Sequence, residues 1–359
     1  SSKQLGEIVI NALEQNKKLL NVPAAVSTIS QKQLMRFNNT SIVPAMNTQP
    51  GVRMEERSPG SYRLNIRGSS LRSPFGVRNV KVYLNGIPFT EPGGSTYLNL
   101  LSFFNIQSIE ILKGPAGSMY GAGNGGAVLL RTHTDDAAAG AGVDYTAGSF
   151  GLQQLNLYAR TGNKHQQQTI GFTRMHSDGY RNWTALDRSV FTWDGKFELN
   201  NKQSLRSFLM YGNLGYQTPG GLTPAEFNAN PRQARPRAGT TPGSSENKAG
   251  VNQESFLAAV SHDFNFTDRV SNTTSIYGAF SLFNNPTIRN YERRTEPHAG
   301  GRTVFAFIPE LSNGTLKILA GTELQHGWYN IRVYRNKGGV SDSLQTDDEV
   351  NTLLWSVFA

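Results

Sequence analysis

From about residue 140 to residue 359 the sequence alternates between apolar and polar side chains, and no other feature restricts the fold so strongly. In "LQQLNLYAR" (152–160), Leu155, Leu157 and Ala159 take one face, and Gln154, Asn156, Tyr158 and Arg160 take the other. In "FTWDGKFEL" (191–199), Phe191, Trp193, Phe197 and Leu199 oppose Thr192, Asp194, Lys196 and Glu198. "FLAAVSHDF" (256–264) sets Phe256, Ala258 and Val260 on one side. A period of two gives a strand with one apolar and one polar face.

Connection lengths separate a sandwich from a barrel. Tight turns are expected at 162–166, 200–203, 265–269 and 312–314, and long polar connections near 176–188, 212–254, 284–302 and 335–350. Short and long connections take turns, as in outer-membrane barrels. Aromatic residues such as Tyr180, Trp183, Tyr211, Tyr216, Phe280, Phe283, Trp328 and Tyr334 stand near strand ends, where an interfacial girdle would place them. No run of about 18 apolar residues exists that would form a membrane-spanning helix, a test that barrel strands escape. The pattern gives about ten strands. An open sheet with two unpaired edges leaves backbone groups unsatisfied in lipid, so a longer barrel is expected, of which this chain holds the N-terminal portion.

The first 133 residues read differently, as an α+β pattern of short strands and turns. Strands are expected at "VPAAVSTIS" (22–30), "YRLNIRG" (62–68), "VKVYLNG" (80–86), "SIEILKG" (108–114) and "GAVLLRTH" (126–133), with a short helix starting in "QKQLMRFNN" (31–39). The stretch "GPAGSMYGAGNGG" (114–126) holds six glycines, and Gly121, Gly123 and Gly126 spell G-x-G-x-x-G. A dinucleotide site needs a helix after such a turn, so that its N-terminus meets the pyrophosphate. Here "AVLLRT" follows, a short apolar strand. The glycines are expected to serve tight turns and close backbone approach instead.

The chemistry that is missing narrows the choice further. The chain has no cysteine, which excludes disulfides and thiolate metal sites. Its six histidines show no ligand spacing, and no H-E-x-x-H, G-x-S-x-G or Walker lysine occurs. Neither an enzyme nor a cofactor site is expected. The net charge of +9 is spread along the chain, with one local group of Arg232, Arg235 and Arg237 among prolines. Nucleic acid is not expected as a partner without a clustered patch that stacks or reads bases.

In order and spacing, "LGEIVINA" (5–12), "VPAAVSTIS", "YRLNIRG", "VKVYLNGIP" (80–88), "IEILKGPAGSMYGAGNGGAVLL" (109–130) and the alternating strands resemble the TonB-dependent outer-membrane receptors, in particular the siderophore-receptor type. Lys113 departs from the arginine usual before Gly-Pro in that family. The resemblance implies an α+β plug domain followed by antiparallel transmembrane β-barrel strands, with the barrel incomplete in this chain. Its divisions would be a TonB-box region and linker (1–20), a plug (21–133) and barrel strands (134–359). It implies location in the outer membrane of a Gram-negative bacterium. It also implies three partners: the periplasmic TonB energy-coupling protein, an extracellular ligand such as a ferric chelate, and outer-membrane lipid with lipopolysaccharide.

The same resemblance suggests roles for individual residues. Glu7, Ile8, Val9, Ile10, Asn11 and Ala12 match the TonB box, which binds by strand addition. Arg67 and Lys113 match two basic plug positions that face barrel carboxylates and lock the plug, with Glu198 and Glu254 among the candidate partners. Arg72, Phe75, Arg78, Glu91 and Tyr97 lie in the loops that face the ligand pocket, and Arg232, Arg235 and Arg237 lie in the longest loop beside it. The implied function is active import of a scarce nutrient, most often a ferric siderophore. Other ligands (cobalamin, haem, another metal chelate or a glycan) and a surface-binding or signal-sensing barrel without transport remain open.

Overall fold

The computed structural model describes every residue except 1–8, 11–16, 19–21, 23, 38, 59, 70–75, 115–118, 122, 133–137, 164, 313 and 315. It contains two bodies of strands, one seated against the inner face of the other.

The inner body begins with a two-residue ladder between β1 (Val9–Ile10) and β2 (Lys17–Lys18). Next come β3 (Val26–Ser30), α1 (Gln31–Leu34) and α2 (Val43–Met46). Ser30 starts α1 through a capping box with Gln33, and the helix ends after one turn, shorter than its sequence pattern suggested. β4 (Val52–Glu56) and β5 (Tyr62–Ile66) form an antiparallel pair. β6 (Val80–Leu84), β7 (Ile87–Pro88), β8 (Ile106–Lys113) and β9 (Gly126–Thr132) join β3 in a five-stranded sheet ordered β3-β8-β9-β6-β7. All five residues of β6 are buried, and Ile109, Ile111 and Val128 lie beside it in the core.

The outer body is an antiparallel sheet of eleven strands. They are β10 (Gly140–Ala147), β11 (Gln153–Gly162), β12 (Gln166–Ser177), β13 (Leu186–Asn200), β14 (Gln203–Gln217), β15 (Gly250–Asn265), β16 (Val270–Pro286), β17 (Asn290–Thr295), β18 (His298–Phe307), β19 (Ile318–Lys337) and β20 (Val340–Phe358). β17 and β18 both lie between β16 and β19. They are one crossing interrupted at Glu296-Pro297, so eleven segments make ten crossings. Among the described residues β10 and β20 are not paired with each other. The barrel is therefore open along that edge.

Two expected long connections are absent. Only residues 287–289 separate β16 from β17, and only Gly338 and Gly339, both with positive φ, separate β19 from β20. Residues 340–350, part of the connection expected near 335–350, are strand although their apolar alternation fades. Beyond the hydrocarbon layer a barrel strand no longer needs an apolar outer face, while its ladder hydrogen bonds continue.

The alternation is inverted relative to a soluble protein. Asn156 and Gln154 are buried while Leu157 is exposed, and Ser255 is buried while Phe256 is exposed. The polar face looks inward. Hydroxyls pair across it: Ser255 with Ser281 at 2.6 Å and Ser261 with Ser275 at 2.7 Å. Apolar patches of the wall also pack against the inner body: Val190, Phe208, Met210, Leu257 and Ala259 against its main core, Val304 and Phe358 beside Tyr83 and Met119, and Leu186 and Leu214 beside Leu100.

Candidate functional site

The glycine-rich run turns β8 back into β9, and no helix follows Gly126. At Gly126 φ is +121°, and a Cβ would overlap the Leu112 carbonyl oxygen. β9 then pairs antiparallel with β8 and parallel with β6. The run is a packed return and offers no helix N-terminus to a phosphate.

Besides the apolar patches, the inner body meets the barrel wall through polar contacts at several points. Asn39 donates to Asp144 at 2.8 Å, and Ser102 pairs with Thr173 at 2.7 Å. Asn85 and Thr132 both reach Asp194. Arg188 of β13, almost fully buried, donates to the Asn99 carbonyl at 3.3 Å. On the opposite wall Lys81 donates to Gln325 at 3.4 Å, Tyr83 to Glu323 at 2.9 Å, and Arg302 to the Met119 carbonyl at 2.6 Å.

Among the described residues Arg67 and Lys113, expected to face barrel carboxylates, meet each other. Arg67 Nη1 donates to the Lys113 carbonyl at 3.2 Å. The Lys113 ammonium is held below its ordinary pKa by burial and by the Arg67 charge. Among the described residues neither forms an ion pair with a carboxylate. Glu254 is exposed, and Glu198 pairs with Lys196 at 3.1 Å. The barrel carboxylates that do meet the inner body are Asp144, Asp194, Glu296 and Glu323. Asp144, Asp194 and Glu323 occupy the inward faces of alternating strands, and Glu296 lies at the β17–β18 break. Inward parity is the one sequence signal the three strand residues share, and many other polar residues share it too.

Glu91 and Tyr97, expected in the ligand pocket, are turned onto the barrel wall. The Tyr97 hydroxyl donates to Glu296 at 3.1 Å, and its ring stacks on Phe283 with centroids 6.0 Å apart. Gly93 N–H donates to the Tyr329 hydroxyl at 3.2 Å. Glu296 sits at the β17–β18 break and also pairs with Arg294 at 3.0 Å. Glu91 is only 6% exposed, and its Oε2 has no hydrogen-bond partner. Burial, then the neighbouring Glu296 charge, pushes the Glu91 carboxyl up to about 8. Arg78 is exposed. Arg72 and Phe75 lie outside the described residues, as do Glu7, Ile8, Asn11 and Ala12.

The longest connection, 218–249, contains α3 (Pro224–Ala229), capped by a Thr223–Glu226 box. Arg181 ties it down by donating to the carbonyls of Gln233 and Gly220, both within 3.3 Å. The three loop arginines have separate partners. Arg232 donates to the Tyr180 carbonyl and lies over the Phe150 and Tyr180 rings. Arg235 donates to the Pro242 carbonyl at 3.3 Å, and Arg237 pairs with Glu246 at 2.6 Å. They are not gathered into one cationic pocket. No sequence signal marks Arg181, whose position in the polar connection expected near 176–188 resembles that of any solvated residue.

A compact sheet seated inside barrel strands and held by side-chain contacts that water can replace defines a plugged barrel. Residues 18–128 match the family model of the TonB-dependent Receptor Plug Domain. Over those residues the chain is similar to the plug of the TonB-dependent receptors, and the strands that follow have the fold of barrel strands in solved structures. The fold is similar to that of the pyoverdine-bound receptor FpvA of P. aeruginosa, with a TM-score of 0.77 at 13% identity over 97% of this chain and 50% of that one. The unliganded ferric citrate transporter FecA gives 0.74 at 16% identity over 93% and 53%. Among curated proteins, the vitamin B12 transporter BtuB of Vibrio vulnificus strain YJ016 is 25% identical over 185 residues, 48% of this chain and 28% of that protein. The chain thus spans about half the length of these solved structures and matches about a quarter of the curated relative.

Proposed function

We propose that the chain is the N-terminal part of a TonB-dependent active transporter in the outer membrane of a Gram-negative bacterium, and that the transporter imports a ferric siderophore complex. The division would be a TonB-box region (1–20), a plug (21–133) and the first barrel strands (134–359). The observation that carries the reading is the plug itself. It has a packed core of its own, and it meets the wall through hydrogen bonds that water can take over as well as through apolar patches. The outward apolar faces of β11, β13 and β15 suit hydrocarbon, and lipopolysaccharide would surround the loop end. No catalytic role is proposed.

In this reading residues 7–12 add a strand to TonB. Backbone hydrogen bonds supply the affinity, so the sequence demand is loose. Arg72, Phe75 and Arg78, with the loop residues Arg232, Arg235 and Arg237, would face the ligand, while Glu91 and Tyr97 would dock their loop onto the barrel. The ferric ligand is supported by the names of the structural neighbours, which include a ferric citrate transporter and a pyoverdine receptor. Cobalamin is the second reading, favoured by the vitamin B12 transporters among the curated relatives.

The test is uptake by the full-length receptor in its own membrane. Removing residues 7–12 should abolish energised uptake of labelled ferric siderophore and leave binding intact. Uptake that survives the deletion would overturn the transport mechanism. Binding without uptake in the intact receptor would mark a sensing barrel, and competition by cobalamin alone would replace the ligand.

A further inference from the structure

Arg302 is a buried barrel charge with partners on both the plug and the wall. Its side chain is 4% exposed, on the inward face of β18. Nη1 donates to the carbonyl of Met119, in the plug, at 2.6 Å. The same atom meets Glu323 Oε2 at 3.1 Å on the adjacent strand, directly opposite in register. The guanidinium stands 5.6 Å from the ring centre of Tyr83, 5.5 Å from Tyr120 and 4.7 Å from Phe358. Tyr83 and Tyr120 belong to the plug and meet edge to face. Tyr83 also donates to the Glu323 oxygen that Arg302 holds. One barrel cation thus grips a plug carbonyl inside an aromatic box, braced by a barrel anion.

We propose that Arg302 is a positioning residue that clasps the plug by its Met119–Tyr120 turn, and that opening this clasp gates displacement of the plug. The inference rests on the transport reading, in which the plug must move. It reverses the expected polarity of the lock, because the cation comes from the barrel and the plug offers its main chain. A carbonyl acceptor has two consequences. It is present whatever side chain occupies position 119, and it is lost only when the chain path itself shifts. The contact is therefore blind to rotamer changes in the plug and sensitive to movement of the β8–β9 hairpin.

Glu323 explains why the clasp can reopen. A buried arginine left without its partner is strongly unfavourable, because its charge is uncompensated. Here the compensating carboxylate stays on the wall with Arg302. When the plug leaves, an ion pair remains, ready for the plug's return. An arginine suits this task better than a lysine, since its flat guanidinium rests on rings while one nitrogen meets both acceptors.

The experiment uses the full-length receptor in lipid, pulled by a handle at its N-terminus, with the rate of plug extraction at fixed force as the readout. Neither ligand nor TonB is needed, so the outcome is independent of uptake. Arg302→Met alone strands Glu323 and risks misfolding. The informative variant is Arg302→Met with Glu323→Gln, checked for an intact barrel. Extraction should quicken about 10–100-fold, the size of one charge-assisted hydrogen bond. Arg302→Lys should fall between this variant and the parent. Tyr83→Phe should give a smaller change in the same direction, and Arg67→Ala little change. An unchanged rate in the folded double variant overturns the clasp and leaves the transport reading standing. A larger effect from Arg67→Ala would return the lock to the plug's own cations.

Discussion

Strand β6 of the plug is buried at all five positions, whereas none of the eight residues of barrel strand β10 is buried. Both are ordinary β-structure, and they are held in opposite ways. The plug has a centre, and its strands depend on close packing around Ile109, Ile111, Val82 and Val128. The barrel has only a wall, and its strands depend on long ladders such as that between β14 and β15, which pairs fifteen residues in unbroken register. Substitutions that disturb packing should therefore damage the plug and spare the barrel.

The widest contrast should come from glycines. Gly126→Ala places a methyl against the Leu112 carbonyl at a positive φ and should cost the plug at least about 3 kcal/mol. Gly140→Ala meets nothing within 4 Å and should change stability by less than about 0.5 kcal/mol. Protease sensitivity of the plug in folded, heat-modifiable receptor measures both. If the two variants behaved alike, the comparison would fail at its root.

A smaller contrast should come from isoleucines. Ile109 is completely buried and Ile276 is 63% exposed on the outer face. Ile109→Ala should cost about 2–5 kcal/mol, as expected for a core truncation. Ile276→Ala should stay within about 1 kcal/mol in detergent. Denaturant titration followed by separate plug and barrel probes decides this.

The smallest effect should lie where the two regions meet. The docked Glu91 carboxyl is raised to about 8 from an ordinary 4.5. Docked, the loop holds its proton to higher pH than when free, so docking is tightest in acid. It should weaken as pH rises from about 4.5 through about 8 and then level off. The facing groups are Glu296, Arg294 and Arg78, with Ser95 as a hydrogen-bond partner. Hydrogen exchange of residues 91–97, corrected for the intrinsic rate, should show this slope. Glu91→Gln should flatten it, and a slope that persists in that variant would place the titration elsewhere.

The same contrast explains what could be read from the sequence. Barrel strands repeat one rule for many residues, so β11, β13 and β15 were legible from alternation alone. The rule weakens at the outer ends of β19 and β20, where Asp347 is exposed beside Arg332, and there strand passed for loop. Plug strands β5, β6, β8 and β9 were visible as short apolar runs. β4 was missed, because "VRMEE" has only Val52 and Met54 to bury. The clasp was illegible for another reason. Arg302 and Glu323 are two inward polar residues among dozens, and only the register of β18 against β19 makes them neighbours. Arg67 and Lys113 stood out by family likeness, yet position in a motif carried no information about which charge would lie opposite.

The hydroxyl pairs along the inner wall, Ser255 with Ser281 and Ser261 with Ser275, bear on how such a pore is shut. Some channels close by drying, because a greasy constriction expels its water column. A surface studded with hydroxyls is wettable and would draw water in by capillarity as soon as space opened. Leu257 and Ala259 stand between the two pairs on the same face, so this wall is wettable at both ends of a short apolar stretch. In the transport reading, water should enter first beside the hydroxyl pairs as the plug shifts.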